Sequence, residues 1–118
     1  MADLSISDGA LRIELSVAER VLALHGRDIV VPLGDLVELE PVDDIMSQLR
    51  GLRMPGTGVP GLVAIGTWRG NEDGEPFHDF ALIHRRGPGV VAVTRNFEYA
   101  RILFSADEPQ QMIAALRA

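Results

Sequence analysis

The chain has 118 residues, 47% of them apolar and 24% charged, with a net charge of −6 and no cysteine. That length fits one domain with a sizeable core, and the apolar fraction argues against disorder. The missing cysteines exclude disulfides, thiolate metal sites and thiol nucleophiles, and the acidic total opposes non-specific binding to nucleic acid or anionic lipid. No apolar run approaches the ~20 residues that span a bilayer, and the start Met1-Ala2-Asp3-Leu4 lacks the basic-then-apolar block of a signal peptide. A cytoplasmic protein with no integral membrane segment is expected.

In chain order, Leu4-Ser5-Ile6 and Leu11 to Leu15 alternate apolar with polar around Asp8-Gly9, which predicts a β-hairpin with a tight turn. Ser16 opens a predicted short helix, with Glu19 three residues later and Gly26 as its stop. Ile29-Val30-Val31 reads as a strand ended by Pro32, and Leu36 to Pro41 as the next. Asp43 to Leu49 predicts one or two helical turns capped by Asp43, with Ile45, Met46 and Leu49 facing inward.

Gly51 to Gly61 holds four glycines and two prolines and reads as a loop. Leu62 to Trp68 is a predicted strand, and Gly70 to Gly74 an acidic turn. Phe77 to His84, Val90 to Thr94 and Arg101 to Ser105 complete the strands. Asp107-x-x-Gln110 has the form of a capping box with Pro109 in the first turn, and Met112, Ile113 and Leu116 give that helix one apolar face. Seven or eight antiparallel strands stopped by a C-terminal helix predict one mainly-β domain over residues 1–118, a barrel or sandwich plugged by the helix.

This order of elements resembles the pleckstrin-homology-like domains of bacteria. Three stretches carry the resemblance, to small uncharacterised actinobacterial proteins of that type: Val31-Pro32-Leu33, Gly51-Leu52-Arg53-Met54-Pro55-Gly56-Thr57-Gly58-Val59-Pro60-Gly61, and Ile102-Leu103-Phe104-Ser105 followed by Asp107-Glu108-Pro109. It covers most of the chain and implies a pleckstrin-homology-like barrel or sandwich, but little about activity, because no catalytic residues are established for such proteins. Eukaryotic pleckstrin-homology domains often bind phosphoinositides through a basic first hairpin loop. Here the matching turn, Ser7-Asp8-Gly9-Ala10, has no basic residue, so lipid-headgroup binding does not carry over.

Chemistry is sparse. Gly56-x-Gly58-x-x-Gly61 matches the letters of a dinucleotide-binding turn, but it runs into a strand, whereas pyrophosphate binding needs a helix N-terminus there. A P-loop is excluded because the chain has no lysine. His78 and His84 lie about 20 Å apart if both sit on one strand, too far to share a metal ion. No nucleophile stands in a recognisable elbow, so no catalytic residue, cofactor or metal is expected.

Charge is uneven. Residues 49–70 carry Arg50, Arg53 and Arg69 with no acid, and residues 80–106 are also net positive. The two stretches form a basic patch only if the fold brings them together. The candidate binding surface is therefore the rigid Gly/Pro loop 51–61, with Arg50, Arg53, Gly56, Thr57 and Gly58, followed by Trp68 and Arg69. Two explanations set against this are that the loop only connects, its arginines paired with the acids of residues 35–44, and that Trp68 is core edge. The leading expectation is a non-catalytic module that binds a protein or itself, as a homo-oligomer, through a sheet edge or this loop. The alternative is a small-molecule or anion-binding domain using the loop's arginines.

Overall fold

A computed structural model describes residues 3–14, 29–53, 64–95 and 97–117. The predicted helix from Ser16 to Gly26 and most of the 51–61 loop lie outside the described residues.

Strands β1 (Asp3–Ser7), β2 (Ala10–Glu14) and β3 (Ile29–Pro32) form one antiparallel sheet in that order. Its first turn is the expected one. Asp8 and Gly9 both hold positive φ, at 51° and 73°, the combination whose twist matches paired strands. Cross-strand rows Leu4–Ile13–Ile29 and Ile6–Leu11–Val31 share one face, which is the buried one. Ser5, Arg12 and Val30 take the other.

Six further strands make the second sheet: β4 (Leu36–Val42), β5 (Leu52–Arg53), β6 (Ala64–Glu72), β7 (Glu75–Ile83), β8 (Gly89–Thr94) and β9 (Arg101–Ser105), in the order β4-β8-β9-β7-β6-β5. A 3-10 turn, Leu33–Asp35, joins β3 to β4, and another, Ile45–Gln48, follows β4. The C-terminal helix, α1 (Pro109–Arg117), packs against β4, β1 and β8. Among the described residues there are eight strands of four residues or more and a ninth of two.

The sheets differ from the sequence expectation in two ways. They stay separate and open, so the chain does not close into a barrel, and the strands are not all antiparallel. β9 enters between β7 and β8, antiparallel to β8 but parallel to β7. The reason lies in its composition: Ile102, Leu103 and Phe104 are consecutive and all buried, which demands cover on both faces. A central position in the sheet supplies it.

Each face of the large sheet has its own core. Leu39, Ala92, Ile102 and Phe80 form one cross-strand row, and Val90, Phe104, Leu82 and Ile65 the next. These pack with the buried face of the small sheet and with Met112, Ile113 and Leu116 of α1. On the opposite face, Val91, Leu103, Ala81, Ile83, Ala64 and Trp68 pack with Ile45, Val42, Met46 and Leu49. The segment after β4 is thus a lid on the second face. Gly89 permits its approach, since a Cβ there would lie 2.8 Å from Ile45 Cβ and 2.5 Å from the Phe104 carbonyl oxygen.

Details at element ends also shift. The 43–49 segment is a 3-10 turn preceded by Asp44, with no side-chain cap, rather than helix capped by Asp43. The predicted strand to Trp68 continues through the predicted acidic turn, so that β6 and β7 run to a two-residue turn at Asp73-Gly74, with φ of 52° and 84°. Asp107 turns its carboxylate to Arg85, and the helix starts later than the predicted capping box, at Pro109, with its first bond from the Met112 N–H to the Glu108 carbonyl.

Candidate functional site

The two net-positive stretches do converge, and the point of convergence is a carboxylate. On the second face of the large sheet, Val93, Arg101, Asp79 and Trp68 are successive cross-strand neighbours. Asp79, only 2% exposed, is set beside Arg101 by the parallel β7–β9 register. Arg50 reaches the same carboxylate from the segment after the second 3-10 turn.

The geometry is that of a closed ionic cluster. Arg50 donates to Asp79 through Nε at 2.7 Å and Nη2 at 3.0 Å, a two-pronged pairing. Arg101 donates to Asp79 Oδ2 through Nε at 3.2 Å and Nη2 at 3.0 Å, and Nη2 also bonds the Gln48 carbonyl. Arg50 Nη1 pairs with Glu72, and its guanidinium carbon lies 3.9 Å from the centre of the Phe77 ring. Two acids and two arginines balance. Donating to the Asp79 carboxylate holds the Arg50 proton more firmly and raises its pKa above the ordinary arginine value, against the opposing effect of burial. No buried side-chain nitrogen or oxygen among the described residues lacks a partner.

This arrangement fixes the fate of each candidate residue. Arg50 faces inward and is engaged, with Asp79 and Glu72 rather than the acids of residues 35–44. Arg53 lies in β5, its backbone paired with Trp68. Trp68 is buried in the second core, matching the core-edge explanation more than an exposed platform. Gly56, Thr57 and Gly58 lie outside the described residues. Arg69 is exposed and has no ion-pair partner among the described residues. It stands opposite His78 across the β6–β7 ladder, and an open cleft lined by Gly51, Arg69, Gly70, Pro76, Phe77 and His78 adjoins the pair.

Sequence reasoning missed Asp79 and Arg101 as the organising pair. Their separation of 22 residues gives no local signal, and the parallel register that joins them was not foreseen. A weak sign existed: Asp79 precedes the apolar run Phe80-Ala81-Leu82-Ile83, where a carboxylate is buried at a cost unless it is paired.

Among the described residues no group of three His, Asp or Glu side chains is placed to hold a metal ion, and no helix is long and apolar enough to cross a membrane. No family model, curated protein or solved structure matches this chain.

Proposed function

We propose that this chain is a non-catalytic association module, binding a protein partner or itself, built on a pleckstrin-homology-like arrangement of two sheets and a C-terminal helix. The observation that supports the reading most is how the charges are spent. Arg50 and Asp79, the groups that a binding or reactive centre would draw on, neutralise one another within the protein. What faces outward is of a different kind: the exposed large apolar residues Val30, Leu33 and Val37, and the exposed Arg69 beside His78. Such side chains suit contact with another surface. The alternative, an anion-binding loop, loses Arg50 as a ligand and rests on Arg53 and Arg69.

In-cell cross-linking followed by mass spectrometry tests the reading, with cross-links to one partner, or between copies of the chain, as the expected result. Turnover of chromogenic ester, amide or phosphoester substrates by the purified chain, abolished by a point substitution, would overturn it. Thermal-shift screening against phosphate, sulfate and nucleotides tests the alternative. Stabilisation that disappears in Arg53→Ala would favour it over an association module.

A further inference from the structure

We infer that residues 43–51 are a strap that opens as one unit over the second face of the large sheet, with Arg50 as its latch. The inference stands apart from the association reading, because it concerns how the apolar face is covered and not what binds there.

β4 and β5 are the two edges of the six-stranded sheet, so the chain between them crosses its whole width, five inter-strand steps of roughly 4.8 Å. That is about 24 Å. The residues from Val42 to Leu52, four of them in a 3-10 turn, reach about 28 Å, so the crossing is nearly direct. Its anchors follow strand by strand. Ile45 lies against Gly89 of β8, and its N–H bonds the Gly87 carbonyl at 2.9 Å. Arg101 of β9 donates to the Gln48 carbonyl. Arg50 holds Asp79 of β7 and Glu72 at the end of the β6–β7 ribbon. Gly51, at φ +78°, is pressed against the Arg69 carbonyl of β6.

The ladders do not need the strap to be closed. Residues 43–50 add no strand pairing, and their own turn has two backbone bonds, from Ser47 N–H to Asp44 and Leu49 N–H to Met46, at 3.2 and 3.3 Å. Of these eight residues Ile45 alone is buried. Segments held by so few buried side chains and backbone bonds open at a lower free energy than the whole fold. The ionic cluster also divides without leaving a buried charge behind. Arg101 holds Asp79 Oδ2 through two nitrogens, so lifting Arg50 away leaves that carboxylate paired. Arg50 and the exposed Glu72 pass to water. What opening uncovers is the apolar surface beneath Ile45, Met46 and Leu49: Val91, Leu103, Ala81 and Ile83. Access to that surface is thereby gated by one guanidinium.

Native-state hydrogen exchange followed by NMR tests this on the full chain, reading the Ile45 amide in the strap against the Leu103 amide in β9. In wild type, Ile45 should exchange at least about a hundredfold faster than Leu103. Ile65→Val, a change in the core on the opposite face of the sheet, weakens the strap-closed and strap-open forms alike. It should speed Leu103 about fivefold and leave Ile45 within about twofold of its wild-type rate. Arg50→Gln removes bonds that only the closed form makes, and should speed Ile45 at least about tenfold. Circular dichroism verifies that both variants fold. Ile45 exchanging no faster than Leu103 in wild type, or following it in Ile65→Val, would mean that the strap leaves only when the whole fold does. An Ile45 rate unchanged in Arg50→Gln would mean that Arg50 is not the latch. Any of these results would overturn the inference.

Discussion

Removing the Asp79 carboxylate should be among the most destabilising polar substitutions in this protein. Asp79→Ala deletes the acceptor of four hydrogen bonds from Arg50 and Arg101 and leaves two guanidinium groups facing one another. Two positive charges about 5 Å apart at an effective dielectric constant near 20 repel by about 3 kcal/mol. Breaking a buried pair by removing one partner costs about 3–5 kcal/mol. The arginine side chains are 29% and 18% exposed, so water relieves part of this and the low end applies, about 3 kcal/mol. With an unfolding entropy of about 2.1 cal/mol/K per residue, that loss corresponds to a fall in Tm of about 12 °C. Urea titration followed by circular dichroism measures it, with Glu72→Gln, an exposed carboxylate in the same cluster, as the control expected to cost under about 1 kcal/mol. If Asp79→Ala cost no more than that control, the cluster would not be holding β7, β9 and the segment around Arg50 together. Replacing Asp79, Arg50 and Arg101 together by Leu, Met and Met should recover much of the loss, because only the exposed Glu72 carboxylate then loses its partner and no buried charge is left unpaired.

Gly51→Ala should cost at least about 2 kcal/mol in the same titration, since φ is +78° and the new Cβ would lie 2.3 Å from the Arg69 carbonyl oxygen. Gly74→Ala, at φ +84° but with nothing within 4 Å, should cost only about 1–2 kcal/mol; equal losses would refute the steric part of the argument. Phe80→Ala, which empties a fully buried site, should cost about 3–5 kcal/mol and lower the urea midpoint without changing the slope. The raised pKa of Arg50 implies stability that is present below the arginine range and lost only as pH climbs above it. The stability difference between wild type and Arg50→Gln should therefore stay flat between about pH 7 and 10, and a slope there would mean another group titrates with the cluster.

The hairpins were legible because their signals are local. Asp8-Gly9 between alternating stretches determines both the turn and which face is buried, and Met112, Ile113 and Leu116 mark the helix face that packs inward. Long-range order was not legible. Nothing near residues 101–105 states that they run parallel to β7. The candidate surface fared likewise. Arginine density before the Gly/Pro loop was visible, but its meaning depended on a carboxylate 29 residues further along, which turns Arg50 from a ligand into an anchor. Arg69 kept its exposure because alternation points it away from the ribbon's acids, something the chain order alone did not reveal.

The position of β9 has a consequence for biosynthesis. In chain order it comes after every other strand, yet it occupies the middle of the large sheet, between β8 and β7. Until residues 101–105 have left the ribosome, β8 with β4, and β7 with β6, are two half-sheets that each expose an apolar flank. The sheet completes by insertion of β9 between two halves made before it, so the nascent chain is most vulnerable to mispairing just before that strand arrives.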